Sequence, residues 1–247
     1  MTRFKAFTLH LSVSAIIFFV VLGFILMRWY PPPYFAYDGG WRGIRIVFGV
    51  DIVLGPLLTL IVYKPGKRGL KLDLTVIALL QLAALTYGIT TVYRQRTALV
   101  VFFRGAFYTV AGAQIPITGP KGERLVRTSH ALPPYVEVQL PKTRAKRYAI
   151  FTSVFRGAPP PYLQGNLYRT FHARDALTAG INVRKLVAAR PADRRRLAAF
   201  LHGRPASDFA FVPLDCRYRR LLLVIRRHDA HIVGALDVNP YPLFAFY

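Results

Sequence analysis

IVFGVDIVLGPLLTLIVYK, Ile46 to Lys64, is an apolar run broken by one acid and one proline. A carboxylate at the middle of a membrane helix costs about 2.5 to 3.5 kcal/mol on insertion scales, so Asp51 needs a partner or a route to water. Two runs of similar length, Leu9 to Met27 and Leu74 to Tyr93, stand on either side. Each is close to the ~20 residues that a helix needs to cross ~30 Å of hydrocarbon. The sequence therefore predicts three membrane helices.

The first run follows Arg3 and Lys5 as a signal peptide would. It exceeds the usual ~7 to 15 residue apolar core, however, and MRWYPPPYF follows it in place of a small-residue cleavage site. It is expected to stay as an anchor. KAFTLHL, Lys5 to Leu11, resembles the KGFTLxEL start of type IV pilins, but Leu11 stands where pilins carry a glutamate, and pilins have one membrane helix. The chain is not expected to be a pilin.

Of the 247 residues 53% are hydrophobic, yet the formal charge is +23. That pairing excludes a disordered tail and an ordinary soluble enzyme. Nine of the 34 Lys and Arg precede Arg94, leaving 25 from Arg94 onward against 8 Asp and Glu, a balance of +17. The chain thus divides into a membrane module, residues 1–93, and a basic domain, residues 94–247, large enough for its own core. In that domain ALVVFF (Ala98 to Phe103), YVEVQL (Tyr135 to Leu140), FAFVPL (Phe209 to Leu214), RLLLVI (Arg220 to Ile225) and HIVGALDV (His231 to Val238) predict strands. DALTAG and VRKLVAARPADRRRLAAFLHG predict helices, the latter broken near Pro191 and capped at Gly203. GPKGER, Gly119 to Arg124, reads as a turn and PPPYLQGNLY, Pro159 to Tyr168, as a loop. The fold class is three transmembrane helices followed by an α+β domain, closed by a hairpin at RHDAH, Arg227 to His231.

Lys and Arg near the helix ends number six on each side. The compact loop YKPGKRGLK, Tyr63 to Lys71, is short and free of acids, so it is placed in the cytoplasm and the basic domain in the periplasm. On that topology Asp51 lies five residues, about 7.5 Å, inside the outer end of its helix. Asp51, Gly55 and Thr59 share one face, and Pro56 frees the carbonyl of Ile52. On the third helix Gln81, Ala84, Gly88 and Thr91 form a matching stripe, with Ala84 and Gly88 a small-xxx-small pair. Pairing across the turn sets Gly55 level with Ala84 and Asp51 level with Tyr87, Gly88 and Thr91. Two readings stay open: hydroxyls of the third helix hold Asp51, or it meets a partner's membrane helix. An intramembrane aspartyl dyad with Asp73 is excluded, since about 18 Å of helix separates two groups that must share a proton. Asp73 is read as the N-cap of the third helix.

WYPPP from Trp29 through Tyr30 and Pro31, the loop glycines Gly39 and Gly40, VDIVLGPLLT (Val50 to Thr59), KPGKRGLKLDL (Lys64 to Leu74) and QLAALTYG (Gln81 to Gly88) together resemble the TfpX/TfpZ family of type IV pilin accessory proteins. AFxxHLxxS, Ala6 to Ser14, fits the same family. The resemblance is dense over roughly the first 110 residues. It implies an inner-membrane protein that acts with pilin and the assembly machinery, in pilus assembly or in extension and retraction, without a known reaction; no cofactor is expected. The chain departs from the family at Thr97, where a proline is usual, and in its NPYPLFAFY end.

Other constellations are weak. HDAH, His228 to His231, offers two histidines in a turn without further ligands. His10, His130, His172 and His202 share no motif. GxSxG, HExxH and GxxxxGK[ST] are absent from the sequence. Cys216 is the single cysteine. The basic domain suits an acidic protein partner, anionic membrane lipid or nucleic acid. A membrane-anchored DNA-binding or competence factor is therefore the alternative to a non-enzymatic pilin accessory protein.

Overall fold

The computed structural model describes residues 2–30, 33–129, 133–188 and 190–241. The chain forms two units, Met1–Pro31 with Gly39–Arg96, and Pro32–Asp38 with Thr97–Tyr247. In the first unit three helices are long and apolar enough to cross a membrane, Arg3–Trp29, Gly40–Val62 and Leu70–Gln95. Each outruns its apolar stretch. The second extends back through Arg42 and Arg45 because both lie on its exposed side while Gly40, Ile44 and Val47 are buried. Asp51 consequently sits eleven residues from Gly40 and eleven from Val62, at the helix midpoint and not near its outer end. The third helix starts at Leu70, with Gly69 in left-handed geometry (φ 84°) at the cap position. Asp73 is therefore not the N-cap but a first-turn acid, and accepts a 2.6 Å charged hydrogen bond from Lys67.

The second unit carries a seven-stranded sheet among the described residues. Its spatial order is β4 (Tyr168–Thr170), β3 (Tyr135–Val138), β1 (Thr97–Phe103), β2 (Ala106–Ala111), β5 (Phe209–Asp215), β6 (Arg220–Arg226) and β7 (Ile232–Leu236). β1 runs parallel to β3, and β2 runs parallel to β5; the other neighbours are antiparallel. β2 is absent from the sequence reading. Its hairpin with β1 turns at Arg104 (φ 50°) and Gly105 (φ 81°), so both turn residues take the positive φ of a type I′ turn without the usual Asn-Gly. GPKGER is not a turn: it opens a helix over Gly119–Thr128. A helix over Arg144–Phe155 is also new.

β1 is buried along its whole length and β5 and β6 nearly so, which explains their continuous apolar runs. One face of the sheet presents Leu99 and Val101 to Leu163 and Leu167, and Phe211 and Val224 to Val183 and Leu197. The opposite face presents Val100, Phe107, Val212 and Leu223, and here the cover includes Tyr34. Tyr34 belongs to a single helical turn, Tyr34–Tyr37, between the first two long helices. It is 2% exposed, and its hydroxyl is hydrogen-bonded to that of Tyr135. Burial pushes both phenols up, Tyr135 to about 12. Next to this turn, Asp38 accepts from the Thr97 hydroxyl, from the Thr109 hydroxyl at 2.9 Å and from the Arg217 N–H at 2.7 Å. Burial raises its pKa and the three donors oppose that rise.

The sheet unit thus extends beyond residues 94–247, because part of its core comes from the segment at Tyr34. Replacing a large buried aromatic by alanine costs roughly 3 to 5 kcal/mol, and each stranded buried donor costs roughly 1 to 3. Tyr34→Ala and Asp38→Leu in the full chain are therefore expected to make the second unit protease-sensitive at lower denaturant than wild type, with Asp38→Asn milder. Unchanged protease resistance in Tyr34→Ala would contradict this packing.

Candidate functional site

Between Gly49 and Leu54 the second long helix widens to π geometry and returns to α at Gly55. The cause lies at Pro56, which has no N–H to donate and whose ring crowds the carbonyl of Ile52. An extra residue in the turn relieves that crowding. The widened turn carries Asp51, which is 4% exposed and whose Oδ2 has no hydrogen-bond partner among the described residues. A buried polar atom without a partner is uncommon and calls for a reason.

Small residues bring the second and third helices together. A Cβ on Gly55 would lie 1.8 Å from Nε2 of Gln81, one on Gly88 would lie 2.7 Å from Cγ2 of Val47, and one on Gly43 would lie 2.5 Å from Cγ2 of Val92. These pairs place Gly55 opposite Gln81 and not Ala84, about one turn from the expected register. The difference arises because the third helix begins at Leu70, four residues before Leu74. Tyr87 is 73% exposed and does not join Asp51. Thr86 spends its hydroxyl on the carbonyl of Leu82 in its own helix. Neither these residues nor Thr91 supplies a hydroxyl to Oδ2, which has no partner among the described residues.

The first helix supplies what the sequence reading missed. His10 Nδ1 lies 2.6 Å from Thr59 Oγ1, and the Thr59 hydroxyl donates to the Gly55 carbonyl at 3.1 Å. With the threonine proton committed to Gly55, Nδ1 of His10 is the donor in that pair. Ala6, Ser14 and Phe18 are buried, so the first helix packs through every fourth residue from Ala6. That spacing was visible in AFxxHLxxS. A cleft of about 240 Å³ opens among His10, Ser14, Ile17, Asp51, Gln81 and Leu85. A second cleft of about 310 Å³ shares His10 and Val13 with it and reaches Thr59 and Leu74.

Trp29, Tyr30, Gly39 and Gly40, expected in a loop, sit at helix ends. Trp29 packs against the Tyr93 ring at 4.9 Å between centroids, and the Tyr30 hydroxyl donates to the Val92 carbonyl at 3.2 Å. Gly39 takes φ 93° ahead of the second helix, and Gly40 is its first residue. Pro31 lies outside the described residues. Trp29, Tyr30, Gly39 and Gly40 do not line the cleft at Asp51. In the second unit, His228 and His231 flank Asp229, which is taken by Arg226 at 2.6 Å and by the His231 N–H at 3.1 Å.

Three curated proteins of Dichelobacter nodosus are similar to the chain. The fimbrial assembly protein of serogroup I is 39% identical over 99 residues, 39% of this chain and 37% of that protein. That of serogroup E1 is 36% identical over 97 residues, 38% of this chain and 37% of that protein. That of serogroups C1 and C2 is 38% identical over 99 residues, 39% of this chain and 72% of that protein. The chain thus spans little more than a third of the length of the first two relatives. No family model matches it, and no solved structure does.

Because the Oδ2 of Asp51 has no partner among the described residues, removing the carboxylate removes a buried unsatisfied group, worth roughly 1 to 3 kcal/mol. Asp51→Leu is expected to leave the purified protein as resistant to denaturing detergent as wild type, or more so. Gly88→Leu should weaken it by roughly 1 to 3 kcal/mol through overpacking against Val47. A large loss of stability in Asp51→Leu would show that the carboxylate is tied to a neighbouring helix after all.

Proposed function

We propose that this chain, which belongs to the fimbrial assembly protein family, is a non-enzymatic accessory protein of type IV pilus biogenesis, held in the bacterial inner membrane by its three long helices. The observation that carries the proposal is the match across 72% of the serogroup C1 and C2 fimbrial assembly protein. The three apolar helices agree with a membrane location. The protein promotes pilus assembly, or adjusts extension and retraction, through contacts with pilin or the assembly machinery. The polybasic turn between the second and third helices faces the cytoplasm, and the sheet unit faces the periplasm.

Deleting the gene is expected to reduce surface pili without reducing pilin synthesis, with recovery on complementation; full piliation in the deletion strain would refute the assembly role. Orientation is read by labelling cysteines in cells with a permeabilised outer membrane. Cys216 itself is a poor reporter, since burial pushes its thiol well above the ordinary range. In a Cys216→Ser background, Arg195→Cys, on an exposed part of the Pro191–Leu201 helix, should react with an impermeant reagent. Lys67→Cys should not. The reverse pattern would place the sheet unit in the cytoplasm.

A further inference from the structure

The second long helix is flanked on both sides: the first packs along it through Ala6, Ser14 and Phe18, and the third through Gly88 and Gln81. The first and third helices meet at one end, where Trp29 packs on Tyr93 and Tyr30 donates to Val92, and share no comparable contact along the rest of their length. Between them runs a groove whose walls are His10, Val13 and Ile17 on one side and Ala78, Gln81 and Leu85 on the other. Its floor is the second helix, which presents Asp51 there and Thr59 further along. Three helices in this arrangement leave the place of a fourth.

We infer that this groove docks one apolar membrane helix of a partner protein, and that the docked helix carries a hydrogen-bond donor at the level of Asp51. Two independent features converge on that occupant. The walls are aliphatic over most of their length, which suits a helix side and offers nothing to a soluble peptide. The floor includes the Asp51 carboxylate, 4% exposed, whose enclosed Oδ2 has no hydrogen-bond partner among the described residues and turns to a donor only with a side-chain rotation, in surroundings where no bulk water is at hand to fill it. A lipid chain would match the walls but would leave the carboxylate as it is. A helix with an amide, hydroxyl or ammonium donor among aliphatic and small residues satisfies both. The π turn belongs to the same device, since it sets the carboxylate in the middle of the span while Thr59 and His10 satisfy each other one turn beyond Gly55.

The inference rests on the assembly role for the identity of the partner but not for the existence of the contact, so the two can fail separately. The test places a photo-crosslinking amino acid in the full chain, in piliated cells, at Val13 or Leu82 beside the groove and at Phe19 or Leu79 on exposed sides. Groove positions should capture a polypeptide with an apolar membrane helix, identified by mass spectrometry, and the outer positions should not. Asp51→Asn keeps an acceptor and should retain most of the adduct. Asp51→Leu should lower it by roughly three- to twentyfold, the range for one interhelical hydrogen bond. Ala78→Phe fills the groove without touching Asp51 and should abolish the adduct at unchanged protein level, which separates a blocked site from misfolding. Equal capture at all four positions, capture of only lipid or a second copy of this chain, or an adduct indifferent to Asp51→Leu and Ala78→Phe would each overturn the inference. Piliation of the deletion strain judges the assembly role independently of these outcomes.

Discussion

Much of this structure depends on how it treats two buried carboxylates. Asp38 receives three donors, from Thr97, Thr109 and Arg217. An ionised group can stay buried on those terms, since hydrogen bonds offset the lost hydration. Its consequence is architectural. The short link between the first two long helices is drawn into the sheet unit, where Tyr34 closes part of one face beside Val100 and Phe107. The chain consequently passes between the two units three times: ahead of Pro32, after Asp38 and after Arg96. The sheet unit is therefore not contiguous in sequence, since its core takes Tyr34 from the link that precedes the second long helix.

Asp51 receives the opposite treatment. A proline that cannot donate, a glycine that a glutamine amide lies against and a widened turn surround an acid at the midpoint of an apolar helix. Each breaks a local rule for a stable helix, and such breaches tend to gather at functional sites. The two carboxylates separate structure from function within one chain. Asp38 holds the fold together, whereas Asp51 leaves an acceptor open.

The parts legible in the sequence were those that follow from hydropathy. Three apolar runs gave three helices, and the strands β1, β3, β5, β6 and β7 stood out as short apolar stretches between turn residues. Helix ends were less legible, because Arg42 and Arg45 look like the end of a span until one sees that they share an exposed side. That early stop hid the central position of Asp51, and the late start assigned to the third helix displaced the register by a turn. β2 was concealed by a hairpin that uses Arg-Gly in place of Asn-Gly. Tyr34 was concealed by its surroundings, since YFAYDGG after three prolines has the composition of a loop and its burial depends on a sheet that begins more than sixty residues later. His10 and Ser14 were readable as a stripe with Ala6, but nothing local indicated that the stripe borders the groove with Asp51 on its floor. That knowledge is tertiary.

The opening at Asp51 depends on the first and third helices staying apart at its level, away from the end where Trp29 meets Tyr93. Oxidative disulfide mapping of the full chain in its native membrane, in a Cys216→Ser background, measures this directly, because cysteines bridge only when their Cα atoms lie within about 7 Å. A His10→Cys, Thr59→Cys pair, at a contact between the first and second helices, should oxidise readily. Pairs across the groove, Val13→Cys with Leu82→Cys and Ile17→Cys with Leu85→Cys, should stay largely reduced. Cross-groove pairs that oxidise as completely as the His10 and Thr59 pair would mean a closed three-helix bundle, with no place for a fourth helix and no opening at Asp51.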